Sequence, residues 1–269
     1  MKRIKRFYDS VDIRRSTENS FSLLLNGKTV KTPLGEPFNL SNEAIAAAVA
    51  TEWQLQKEFV VPNTMPINTI LMTHIDIDSK LTRNDKLLQI SRFFQTDTLR
   101  FPESDELSGL FKMQNEKWHP IFQHLKSSNI TFTQCRGTFS LPESTEAEIT
   151  AINNVLLKDY DPLLLCMLET ASKYLKSGTT AVGLIDRAIT PQEAFEAAYA
   201  EELHQRREWG LVEGDHDIQD AETMLWLHGV YILSYLVRMW FTSYDIIQYS
   251  ENNFHGIHQN CMHIFFLVE

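Results

Sequence analysis

Two Glu-x-x-His pairs, Glu116 with His119 and Glu201 with His204, are the residues whose types and spacing first suggest chemistry. Both lie in stretches of helical period, where positions three apart share a face. Two such pairs, joined by a glutamate from each of two further helices, build the carboxylate-bridged di-iron site of helical bundles. A metal-dependent oxidase is therefore one reading. A second cluster, Asp215, His216 and Asp217, is able to hold a surface metal or to serve as a polar loop or helix start.

Helical geometry weighs the first reading, because bundle ligands must point inward among apolar positions. At about 100° per residue, Phe195 and Tyr199 define the core stripe of a helix that starts at Pro191, and His204 lies about 180° from Phe195. Glu201 and Glu208 share that outer side. In the earlier helix Leu107, Phe111, Trp118 and Leu125 mark the inner stripe; Glu116 falls opposite it and His119 off it, with Pro120 a place where the register can reset. Both pairs read better as solvated faces. The same wheel sets Glu202 between Phe195 and Tyr199, with Arg206 four residues on and Trp209 on the same side. A carboxylate among apolar side chains is costly unless it is paired or held for recognition. Glu202 is thus half of an intrahelical pair with Arg206 or an anchor for a partner's basic or amide group.

The elements that must position these residues change character along the chain. FSLLL at 21–25, Asn26-Gly27, TVKT and the turn at Pro33-Leu34-Gly35 predict a β-meander, since Asn-Gly suits the positive φ angles of a type I′ turn. From Ser41, a plausible N-cap, Ile45, Ala48, Val49 and Trp53 fall on one helical stripe that should cover a face of the sheet. Helices over PINTILMTHIDI and NDKLLQISRFF follow, then a strand at DTLRF that ends at Pro102. Beyond it the signals are helical, apart from a short strand at ITFTQCR. Asp161 and Pro162 read as N-cap and first helical residue, with Gly178 as that helix's end, and Thr190 to Glu193 is a capping box with Pro191 at its first turn. The fold class is α+β: a meander sheet with covering helices over 1–102, then an all-α helical domain over 103–269. Met224 to Phe241 is apolar but interrupted by His228 and Arg238, which predicts a buried helix and no stable membrane insertion.

Composition narrows the partners. Thirty-five acidic against 25 basic residues, a net charge of -10, argue against nucleic acid, whose phosphates call for Lys and Arg. Gly-x-Gly-x-x-Gly, P-loop, His-Glu-x-x-His and Gly-x-Ser-x-Gly motifs are missing, so no cofactor is expected. Three widely spaced cysteines, Cys135, Cys166 and Cys261, suit a reducing interior and suggest no disulfide framework. The opening MKRIKRF is basic but too short for a complete transit peptide.

Six blocks carry a resemblance in order: KRFYDSV; the hairpin with KTPLGEPFNL; AVATEW with TMPINTI; QTDTLRF; NEKWHPIF; and GLIDRAITPQEAFEAAYAEELHQRREWGLVEGDHD. They resemble the "ATP twelve" family of chaperones, which assemble the F-one sector of ATP synthase by binding its alpha subunit. The likeness runs from about Lys5 to about Asp220, with Gly183, Leu184, Glu202, Gln205, Trp209, Gly210, Glu213, His216 and Asp217 on the family's pattern. It implies a non-catalytic protein of the mitochondrial matrix, whose partner is the alpha subunit and whose binding residues include Glu202, Gln205, Trp209, Gly210 and Glu213. Trp53 and Trp118 are expected in the core. After about Glu222 the chain departs from the pattern into an aromatic tail.

Overall fold

Asn26 and Gly27 sit at φ 49° and 76°, the two positive values a type I′ turn requires, and they join the strands the sequence predicts. In the computed structural model, which describes residues 4–17, 20–40, 42–77, 80–137, 140–141, 144–210 and 216–253, β2 (Val11–Thr17), β3 (Ser20–Leu25) and β4 (Lys28–Thr29) form an antiparallel run in that order. β5 (Asn39–Leu40) also pairs with β3, while β1 (Ile4–Lys5) pairs separately with β6 (Phe59–Val60). Leu23, Leu24 and Leu25 of the central strand are buried.

Helix α1 (Glu43–Gln54) lies on β2 and β3, as its apolar stripe predicts. Its cap is Asn42, one residue later than expected, whose Oδ1 accepts from the Ile45 amide at 2.8 Å. Ser41 lies outside the described residues. Trp53 and Trp118 are both core residues. The Trp53 indole donates to Asn68 at 2.9 Å, and its backbone carbonyl accepts from the buried Tyr8 hydroxyl at 2.7 Å, so one residue ties α1 to α2 (Pro66–Asp76) and to the N-terminal segment. α3 (Arg83–Gln95) follows behind a Thr82–Asp85 capping box.

Two predicted strands are absent. Thr98–Arg100 of DTLRF is a turn of 3-10 helix, because the fully buried Asp97 carboxylate accepts from the Leu99 amide at 3.0 Å and from the Thr179 amide and hydroxyl at 2.9 Å. Arg100 is buried as well, donating to Phe94 O at 2.8 Å, Thr133 O at 3.0 Å and Glu148 at 2.9 Å. ITFTQCR is irregular for the same reason: Arg100 and Glu148 take up Thr133's backbone groups, which a sheet would otherwise pair.

The remaining helices are α4 (Gly109–Ser127), α5 (Thr145–Val155), α6 (Pro162–Leu175), α7 (Gly178–Ile185), α8 (Pro191–Ala198), α9 (Ala200–Trp209) and α10 (His216–Asn253). Asp161 caps α6 and Thr190 opens α8 through a capping box, both as predicted. Gly178 does not end α6; Lys176, left-handed at φ 51°, follows its last turn. Gly178 instead begins α7, where a Cβ would stand 2.8 Å from the Phe94 ring. Leu107, expected on the inner stripe, precedes α4 and is 84% exposed.

One connected apolar cluster runs from Tyr8 to Val237, with α6 packed on α2, α3, α7 and α10. α10 is amphipathic rather than buried all round: Leu227, Val230, Leu233 and Val237 face the core, while Ile232 and Tyr235 are about half exposed. Arg238 reaches Asp186, which also accepts from the Tyr160 hydroxyl at 2.6 Å and bonds His124 at 2.9 Å. No helix among the described residues is long and apolar enough to cross a membrane.

Candidate partner-binding face

The helix from Pro191 is interrupted. Tyr199, at φ −104° and ψ 21°, separates α8 from α9 and resets the phase that a single wheel assumes. Phe195 and Tyr199 remain core residues, stacked 4.8 Å apart, and the Tyr199 hydroxyl donates to Tyr174 O at 2.7 Å. Glu202 therefore does not lie among apolar side chains. Its side chain is 45% exposed, with the carboxylate 3.6 Å from Lys176 Nζ and 3.9 Å from Arg206.

Arg206 has a stronger partner, forming a two-pronged contact with Asp220 of α10 at 2.5 and 3.1 Å. A bidentate guanidinium–carboxylate pair fixes orientation as well as distance. It holds α9 against α10 and leaves Glu202 with a long exposed contact to a lysine that is itself 59% exposed. Such pairs contribute about 0–1 kcal/mol. The Glu202 carboxylate is thus available to another cation.

Gln205 and Trp209 lie on Glu202's side of the helix, since steps of three and four residues return to the same face. Gln205 is exposed, donating to Glu201 at 3.3 Å, and the Trp209 ring is 80% exposed. Gly210 ends α9 at φ 87° and ψ 169°, a conformation open essentially to glycine alone. Glu213 and Asp215 lie outside the described residues. The stripe Glu202–Gln205–Trp209 is a carboxylate, an amide and a large ring facing solvent on a helix braced by α4 and α10. A tryptophan this exposed leaves a large apolar surface in water, which is costly.

The Glu-x-x-His pairs do not converge. Glu116 is bound to Lys117 at 3.2 Å, and His119 is exposed beside Gln123 at 3.0 Å. Glu201 faces solvent, whereas His204 lies across the start of α4, where a Cβ on Gly109 would be 3.1 Å from its Cε1. Among the described residues no group of three His, Cys, Asp or Glu has metal-holding geometry.

A second surface feature was not foreseen in the sequence. A groove of about 710 Å³ opens between β4, with the loop that follows it, and α2, lined by Phe7, Val30, Leu34, Met65, Met72 and Ile77 among others. Its rim carries Ile4, Phe7, Leu34 and Ile77, each more than half exposed. The signal was faint: these residues sit in four separate segments that only the fold assembles.

The chain thus joins an α+β fold to an exposed aromatic stripe on a braced helix and an open apolar groove. The family profile described as "ATP12 chaperone protein" matches residues 5–126. "Protein ATP12, mitochondrial" of Saccharomyces cerevisiae is 24% identical over 274 residues, covering 86% of this chain and 84% of the yeast protein. The crystal structure of the Atu1473 protein from Agrobacterium tumefaciens superposes with a TM-score of 0.75 at 26% identity, covering 86% of this chain and 85% of that one. Atp12 from Paracoccus denitrificans shares the fold, with a TM-score of 0.72 at 23% identity over 87% of this chain and 98% of that one. Together these likenesses support the chain as a member of the ATP12 chaperone family.

Proposed function

We propose that the chain is an assembly chaperone of ATP synthase that binds the unassembled alpha subunit of the F-one sector, keeps it from aggregating until the beta subunit replaces it, and works in the mitochondrial matrix. Obligate subunit interfaces are large and apolar, and an uncovered one aggregates. A chaperone for such a surface has to offer apolar anchors and a few oriented polar groups, and it must let go when the true partner arrives. The observation that carries the reading is the solvent-facing stripe of α9, with Trp209 80% exposed and Glu202 held by two long contacts, to Lys176 at 3.6 Å and to Arg206 at 3.9 Å. Trp209 supplies the anchor, Gln205 a hydrogen-bonding amide, and Glu202 exchanges Lys176 for a basic or amide group of the client at little cost. Gly210 stops the helix at the edge of the stripe, and Glu213 completes the proposed set.

The test is co-expression with the alpha subunit and measurement of soluble co-purification. The wild-type chain is expected to hold the subunit in solution. Trp209→Ala should weaken capture about thirtyfold, the roughly 2 kcal/mol of a central aromatic contact, and Glu202→Gln by less. A folded wild-type chain that leaves the alpha subunit insoluble sinks the proposal, and undiminished capture by both variants removes α9 from it.

A further inference from the structure

The groove beside β4 has one wall of a particular kind. Leu25 faces Lys28 and Leu24 faces Thr29 across the hairpin, and the Val30 amide donates to Leu23 O at 2.9 Å. In an antiparallel ladder hydrogen-bonded and non-bonded pairs alternate. The Leu23–Val30 pair is bonded, so the Leu24–Thr29 pair is not, and the Thr29 N–H and C=O point away from β3. β4 is the last strand on that side of the sheet. An unpaired peptide group therefore borders a trough lined by apolar side chains.

The exposed charge of the trough has one sign. Lys28 and Lys31 are exposed on its wall. Its acidic lining residue, Asp76, is already engaged: one oxygen accepts from the Thr32 hydroxyl at 2.5 Å and the other from the Leu34 amide at 3.1 Å. Asn68 is likewise committed to Trp53 at 2.9 Å. The two exposed ammonium groups outnumber the one buried carboxylate of the trough in a chain whose net charge is -10.

We infer that this edge takes an extended segment of an unassembled client protein as an added antiparallel strand, with alternate apolar side chains in the groove and a carboxylate against Lys28 or Lys31. Main-chain pairing with Thr29 supplies binding that tolerates sequence variation, while the pockets and lysines supply the preference. The inference rests on the chaperone reading for the source of the strand, but its site is separate from α9. It gives the chain a second grip, on backbone that the client has yet to pair for itself.

The test uses the full chain and a fluorescein-labelled synthetic peptide that alternates valine with threonine and carries glutamate at two of the threonine positions. A version with lysine in place of glutamate is the control. Anisotropy should show saturable binding of the acidic peptide, at least about tenfold weaker for the control, for Thr29→Pro and for the Lys28→Glu, Lys31→Glu double variant. Binding should be unchanged in Trp209→Ala. Equal binding of the two peptides, no binding, or binding untouched by the groove variants overturns the inference. So does a dimer in sedimentation that Thr29→Pro abolishes, which assigns the edge to a second copy. If circular dichroism shows Thr29→Pro unfolded, the double variant and Phe7→Asp decide. Failure of the chaperone reading looks different, since the alpha subunit then stays insoluble while peptide binding is read independently.

Discussion

Glu52 is the residue whose protonation most clearly depends on the fold. Its two oxygens accept from the Ile67 and Asn68 amides, at 2.9 and 2.7 Å, in the first turn of α2, so a side chain of α1 closes the start of the next helix. Burial nonetheless pushes its carboxyl up to about 7, outweighing the two amides that favour the charged form. A carboxyl whose folded pKa lies above its ordinary 4.5 binds its proton more tightly folded than unfolded. Its contribution to stability is full below that ordinary value and is lost as pH rises through about 7. Glu52→Gln should therefore flatten the fall in urea midpoint across this interval; an unchanged pH profile would show that Glu52 titrates as an ordinary exposed acid. Arg100 poses the opposite case, a fully buried cation on Glu148. Arg100→Ala leaves that carboxylate without its partner and should cost about 3–5 kcal/mol in chemical denaturation, and a loss under 1 kcal/mol would refute the assignment. Neither residue was singled out in the sequence. Glu52 falls seven residues after Ile45, on the apolar stripe of α1 itself, where the amides that begin α2 receive its carboxylate. Arg100 reads as one residue of a strand whose edge it in fact replaces.

At the scale of elements, legibility followed how local each cause was. The type I′ turn at Asn26-Gly27, the caps at Asp161 and Thr190 and the apolar stripe of α1 depend on neighbours within a few residues, and all were legible. The DTLRF strand failed because Asp97 bonds Thr179, which is distant in sequence. The wheel drawn through α8 and α9 failed for Glu202 because Tyr199 breaks the helix at a point that has neither glycine nor proline. α10 shows a close approach that the wheel could not foresee. A Cβ on Gly229 would stand 2.5 Å from Cγ of the Pro66 ring, which begins α2. Gly229→Ala should gain about 1 kcal/mol of helix propensity and lose more than that, within about 1–3 kcal/mol, to overpacking against a ring that cannot swing aside. Thermal unfolding measures the balance, and a raised midpoint would mean that α10 and α2 slide apart freely. The contact, with the buried Leu227, Val230, Leu233 and Val237, also makes residues 226–237, which depart from the family's pattern, part of the folded core.

For the molecule as a whole, the α+β class was readable because turn chemistry and helical period dominate different halves of the chain. The groove was not, since it exists only where four segments meet. The apolar cluster that joins β3 to α6 and α10 predicts one cooperative unit. Hydrogen exchange should give the amides of Leu23–Leu25 and those of Leu164–Leu168 the same opening free energy. Two separate values would mean that residues 1–102 and 103–269 unfold independently, as the sequence boundary suggests. The exposure of Trp209 has a spectroscopic consequence. Trp118 and Trp226 are each at most 8% exposed and emit from a dry interior, Trp53 is as buried but lines the groove beside β4, and among the described tryptophan side chains Trp209 is the one that emits from water. A client seated on α9 should shift that one contribution to the blue and shield it from iodide, so the unlabelled chain carries its own optical report of whether the stripe is covered.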